Sequence, residues 1–176
     1  MKTLKRYSVA GIAVLALATV FAFKPMEDIK GWFLAGSNPE SYEIGLVKDA
    51  ERNSNVGYLK SKKTVEGFGT IMQSFKPTTY LGKRVRLSGY IKSKDVSSWA
   101  GMWFRIDGPD QKPLGFDNMQ DRPIKGTTAW TKYEIVLDAP ENSAGFAFGV
   151  LQAGPGEVYL DDLKFEIVDK SVPLTK

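Results

Sequence analysis

The chain contains neither cysteine nor histidine, and each absence removes a class of chemistry. Without cysteine there is no disulfide framework, no thiolate metal site, no thiol nucleophile and no lipoprotein attachment point. Without histidine the usual proton shuttle and the imidazole metal ligands are missing as well. Phosphate cradles are lacking: Gly67-Phe68-Gly69 opens a strand pattern and Gly154-Pro155-Gly156 is a tight turn, so neither runs into a helix N-terminus. A strong charge of one sign is missing too. The net charge is +4, and three of the 24 basic residues (Lys2, Lys5, Arg6) fall in the first 23 positions, leaving 21 against 20 acidic residues. The remainder is nearly neutral, so nucleic acid is not an expected partner.

What is present fits one domain. A chain of 176 residues, 43% hydrophobic and 25% charged, can bury a full core. Residues 1–23 join a basic start to an uncharged apolar run, the layout of an export signal, with Val20 and Ala22 at the positions a signal peptidase reads. Left uncleaved, the stretch 8–23 is a short membrane anchor, slightly below the ~20 residues of a spanning helix. The expected location is periplasmic or extracellular, with the membrane touched only through this segment. Residues 24–30 read as a linker, 31–169 as the folded domain and 170–176 as a frayed tail.

Within the domain, short runs alternate apolar and polar residues, and helical spacing is almost absent. Strands are expected at 42–47, 56–61, 69–75, 83–92, 101–107, 114–117, 131–138, 144–151 and 157–168, with 32–35 as a tenth. Lys76-Pro77, Gly108-Pro109-Asp110 and Ala139-Pro140-Glu141-Asn142 supply turns between them. The class is therefore all-β, a sandwich. Val85, Leu87 and Ile91 are expected in the core, with Arg84, Arg86, Ser88 and Tyr90 on a wet face. Phe146, Phe148 and Val150 point inward, while Ala147 and Gly149 leave room on the outer face for a groove.

The candidate site starts from Met102-Trp103-Phe104-Arg105-Ile106-Asp107. One face of this strand is apolar; the other sets an indole, a guanidinium and a carboxylate in a row, the residue types that stack on and hydrogen-bond a polar ligand. The competing reading is a wet face on which Arg105 merely pairs with Asp107. Gln73 and Tyr90 in their strands, and Asn118 in the loop 116–123, complete the ligand-binding set. In that loop Asp117 and Asn118 also suit the capping of backbone amides, with Arg122 paired to Asp121. Trp99 is a candidate rim contact, whereas Trp32 and Trp130 suit packing at the sandwich ends. Two carboxylates such as Asp107 and Asp117 leave a carboxylate-based hydrolase open, but no spacing in sequence identifies a catalytic pair. A binding module without catalysis is the leading expectation. The alternative is a cell-surface structural or protein-interaction domain using the same wet face.

Three later stretches carry a resemblance: Thr127-Thr128-Ala129-Trp130-Thr131-Lys132-Tyr133, the run 144–151, and Val158-Tyr159-Leu160-Asp161-Asp162-Leu163-Lys164-Phe165. In this order they resemble jelly-roll carbohydrate-binding modules of the galactose-binding-like type. YLGKRVRLSGYIK, WAGMWFRIDG and FDNMQDRPIKGT are similar to a domain of poorly characterised bacterial proteins, sometimes found beside regulatory or peptidase domains. The resemblance covers residues 31–169 and implies a two-sheet antiparallel jelly-roll β-sandwich, here following an N-terminal export helix. It implies a carbohydrate or similar small polar ligand, with Trp103 and Tyr90 as stacking residues. It also implies a structural calcium near the chain ends, held by Asp161 or Asp162.

Overall fold

The computed structural model describes residues 24–25, 31–62 and 65–176. The expected export helix, residues 1–23, lies outside the described residues, as does most of the expected linker. Among the described residues no helix is long and apolar enough to cross a membrane. The described residues form ten strands: β1 (Lys24–Pro25), β2 (Phe33–Gly36), β3 (Tyr42–Asp49), β4 (Ser54–Ser61), β5 (Phe68–Phe75), β6 (Lys83–Asp107), β7 (Pro113–Asp117), β8 (Ile124–Ala139), β9 (Gly145–Ala153) and β10 (Glu157–Val168). A 3-10 turn at Pro39–Ser41 precedes β3. Within the segment read as a linker, Lys24 and Pro25 pair with Leu46 and Gly45 of β3.

Strand β6 organises the molecule. It runs for 25 residues, where the sequence pattern suggests two strands separated by a loop. Its first half lies between β10 and β8, and its second half pairs with β9 and β7. One layer is therefore β1-β3-β4-β10-β6-β8, and the other is β7-β6-β9-β5-β2. The switch falls near Asp95, which takes φ 53° where the register against β8 breaks between Ser93 and Val96. Aspartate tolerates the left-handed region better than most residues. The turn is also tied locally: the Asp95 amide donates to Thr127 Oγ1 at 3.0 Å, and that hydroxyl donates back to Asp95 Oδ1 at 3.2 Å.

Strict alternation places one face of each strand between the layers. Val85, Leu87 and Ile91 of β6 are fully buried, as are Met102, Phe104 and Ile106 further along the same strand. Phe146, Phe148 and Val150 of β9 point inward as expected. Rings close the gap between layers: Phe165 of β10 lies 5.1 Å from Phe104 and 4.8 Å from Phe148, both edge-to-face, the arrangement that ring quadrupoles favour. Trp32 packs edge-on to Phe148 at 5.5 Å.

Two expectations are corrected. Ser88 is fully buried and not on a wet face. A bulge in β10, with the register broken between Asp161 and Lys164 and Asp162 at φ 52°, lies beside this part of β6, where Lys164 is opposite Ser88. Residues 170–176 are not frayed. Arg84 Nη1 donates to the carbonyls of Lys170 at 2.7 Å and Val172 at 2.8 Å, the Thr175 amide donates to Val136 O at 3.1 Å, and Thr175 Oγ1 accepts from the Val136 amide at 3.0 Å.

Candidate ligand-binding site

The outer face of the β7-β6-β9-β5-β2 layer carries a groove of about 450 Å³. Its composition follows from strand register. Arg105 sits between Phe116 of β7 and Ala147 of β9, while Trp103 is opposite Gly149, which is in turn opposite Met72 of β5. Thr70 follows on the same face, opposite Leu151 and beside Ala35 of β2. Ala147 and Gly149, expected to leave room on this face, are not among the lining residues, because the Trp103 indole packs in a cluster with Ala147; Trp99, Phe116, Phe68 and Met72 are among the residues that line the groove. Gly149 is required where it stands, because a Cβ there would lie 2.1 Å from the Ile71 carbonyl oxygen.

Three of the six expected ligand residues meet in this groove: Trp103, Arg105 and Asn118. Trp103 is not wet as expected. It is 7% exposed, packed with Ala147, Leu151, Met72 and Trp99, and its Nε1 donates to Thr70 Oγ1 at 2.8 Å. Arg105 is exposed. Asp107 is not among the lining residues; its carboxylate oxygens lie 2.9 and 3.1 Å from Arg105 Nε, so it acts by holding the guanidinium. Asn118 Oδ1 accepts from the Gln120 amide at 3.2 Å.

The other two expected residues are elsewhere. Gln73 is opposite Phe148, whereas its neighbour Met72 is opposite Gly149. The period of two therefore turns Gln73 to the reverse side of β5 from Trp103. Tyr90 belongs to the first half of β6, in the other layer, where its ring lies 4.3 Å beneath the Arg52 guanidinium. Asp161 and Asp162 also meet Arg52. Its Nε donates to Asp161 Oδ2 at 2.8 Å, and its Nη2 donates to Asp162. The bulge lets adjacent carboxylates face one partner, so a guanidinium stands where the resemblance implied calcium. Among the described residues no group of three or more acidic side chains is placed to hold a metal ion.

The loop after β7 is fixed by its own bonds. Asp117 is fully buried; it accepts from the Met119 amide at 2.9 Å and from Arg122 Nη2 at 2.6 Å, and Arg122 Nη1 reaches Asp121 at 2.9 Å. Burial alone raises the Asp117 pKa, but the hydrogen bonds from Arg122, Thr175 and the Met119 amide outweigh it and hold the carboxyl below its ordinary value. The two carboxylates considered for hydrolysis, Asp107 and Asp117, are thus each engaged by an arginine.

A second and larger basin, about 610 Å³, lies on the outer face of the other layer. Apart from Lys48, its charged side chains are paired with one another: Lys92 meets Asp49 at 2.6 Å and Glu51 at 3.2 Å, and Glu157 meets Lys60 at 3.5 Å and Lys94 at 3.6 Å. Lys92 also lies 5.3 Å from the centre of the Trp130 ring and 5.7 Å from that of Tyr159. Rings already faced by a cation offer a flat ligand less than the groove lined by Trp99 and Phe116. Sequence reasoning left Thr70, Met72 and Phe68 out of the site. Their signal was parity: with Trp103 facing outward, register assigns these positions to the same face.

No family model matches the chain. Over 150 residues it is 49% identical to a protein of Bacillus subtilis (strain 168) named as the uncharacterized HTH-type transcriptional regulator YbfP, a match covering 84% of this chain and 51% of that protein. The chain thus spans about half the length of this curated relative. Among solved structures, the CBM22-1 xylan-binding domain of Paenibacillus barcinonensis Xyn10C superposes with a TM-score of 0.59 at 13% identity, covering 86% of this chain and 98% of that one. TmCBM61, solved with β-1,4-galactotriose, gives 0.51 at 10% identity, covering 78% of this chain and 88% of that one. At these identities the likeness is one of fold, and it identifies the chain as an all-β domain with the jelly-roll architecture of carbohydrate-binding modules.

Proposed function

We propose that this protein is an exported, non-catalytic module that binds a carbohydrate or similar small polar ligand in the groove of the β7-β6-β9-β5-β2 layer. The observation carrying this reading is the groove itself: Trp99, Trp103 and Phe116 set aromatic surface around the guanidinium of Arg105 and the amide of Asn118. Aromatic faces match the apolar faces of sugar rings, and the polar groups orient hydroxyl or acidic substituents. The fold shared with a xylan-binding domain and with a module solved in complex with a galactotriose supports the ligand class. The basic start and apolar run of residues 1–23 support export.

Calorimetric titration of a glycan panel tests the reading. Binding is expected for at least one saccharide, and Phe116→Ala or Trp99→Ala should weaken it by about tenfold, equivalent to about 1.4 kcal/mol. Failure of every saccharide, or binding untouched by both substitutions, would contradict it. The Bacillus subtilis relative favours a second reading for the same groove, as the sensing half of a regulator, because half of that protein corresponds to this domain. Titration of a panel of small non-saccharide metabolites beside the glycans decides between the two: a metabolite bound in place of any glycan supports the second.

A further inference from the structure

We infer that the saccharide taken by the groove carries an acidic substituent, a uronic-acid carboxylate; this rests on the carbohydrate reading of the same site. The inference comes from counting the hydrogen-bonding atoms that the lining side chains leave unused. Among the described residues Arg105 is the one charged lining residue. Its Nε is taken by Asp107 at 2.9 Å, leaving Nη1 and Nη2 as a planar fork of donors. Asn118 has its Oδ1 committed to the Gln120 amide and keeps the Nδ2 donor. Trp99 keeps its indole N–H. Thr70 Oγ1 is occupied on both sides, accepting from Trp103 and donating to Val150 O at 3.0 Å.

The unused side-chain groups are therefore mostly donors, and among the described residues no carboxylate lines the groove. A neutral sugar suits such a wall poorly. Each of its hydroxyls brings a proton that needs an acceptor, whereas an ionised carboxylate brings only acceptors, in the planar pair that a guanidinium fork matches. Asp107, behind Arg105, cancels much of the long-range field. Discrimination then rests on short-range bidentate bonding, and the dependence of affinity on salt should be shallow.

Calorimetry of the full chain compares a uronic-acid oligosaccharide, the same oligosaccharide with its carboxyls reduced to primary alcohols, and a sulfated oligosaccharide of equal length. The acid form should bind at least tenfold tighter than the reduced form. Arg105→Gln should abolish that preference while the chain stays folded, with at most a small fall in melting temperature from the lost Asp107 pair, since Arg105 itself is exposed. Equal affinity for acid and reduced forms overturns the inference and leaves the carbohydrate reading standing. Tighter binding of the sulfated sugar overturns the carboxylate assignment. No binding by any of the three, with the neutral panel also silent, overturns both.

Discussion

The indole of Trp103 is nearly enclosed, and its N–H is committed to Thr70; it serves the groove as a wall that the fold also needs. Trp103→Ala should cost about 3 to 5 kcal/mol of stability, the range for truncating a large buried aromatic. Trp103→Phe should cost less, about 1 kcal/mol for the lost hydrogen bond plus a small packing term. Denaturant unfolding checks both, and a Trp103→Ala variant as stable as the parent would show that the ring is not packed. Asp117 gives the pH dependence. Its folded pKa is held below the ordinary carboxyl value of 3.8, so its contribution is present above that value and is lost as pH falls through the folded pKa. Asp49 and Asp138 are shifted the same way. The melting temperature should be level above about pH 5 and fall on further acidification; a rise would contradict these assignments.

At the scale of elements, the strands were legible in the sequence wherever one face is buried. The alternation of Val85, Leu87 and Ile91, and of Phe146, Phe148 and Val150, marks both strand and inward face, because a slip of one residue would turn these side chains away from the core. The continuity of β6 was not legible. Residues 93–100 mix serines, an aspartate and a tryptophan, and what joins the halves is the left-handed turn at Asp95 with its Thr127 bonds. Gln73 shows the complementary failure: its polarity suggested a ligand, but parity sets it on the reverse face from Trp103. Gly149 binds β5 and β9 closely, and Gly149→Ala would force a methyl against the Ile71 carbonyl. A loss of about 1 to 3 kcal/mol is expected from such overpacking, read by thermal unfolding, and a neutral effect would mean that the two strands are free to part. The C-terminal segment is a working edge of β8. Deleting residues 170–176 should raise hydrogen exchange at the Val136 amide, which donates to Thr175 Oγ1, and unchanged protection there would contradict the docking.

For the whole molecule, β6 divides two outer faces with different chemistry. On the β1-β3-β4-β10-β6-β8 side, Arg52 and Lys92 are paired with acids and lie over Tyr90, Trp130 and Tyr159. On the other side, aromatic walls surround an exposed guanidinium and an amide. The outward direction of the row Trp103, Arg105, Asp107 was legible from sequence alone, because alternation around the buried Phe104 leaves it no other direction. Which residues surround it depends on pairings distant in sequence, Arg105 with Phe116 and Trp103 with Gly149, and these no local pattern encodes. The volumes favour the charged basin and the chemistry favours the groove; the two can be separated directly. In a titration of the isotopically labelled chain with the saccharide bound most tightly by calorimetry, the nuclear magnetic resonance signals of the Trp99 indole N–H, the Arg105 side chain and the Asn118 amide should shift together, while the Trp130 indole stays fixed. Shifts centred on Trp130 and Tyr159, with Trp99 and Asn118 unmoved, would contradict the assignment of the groove as the binding site.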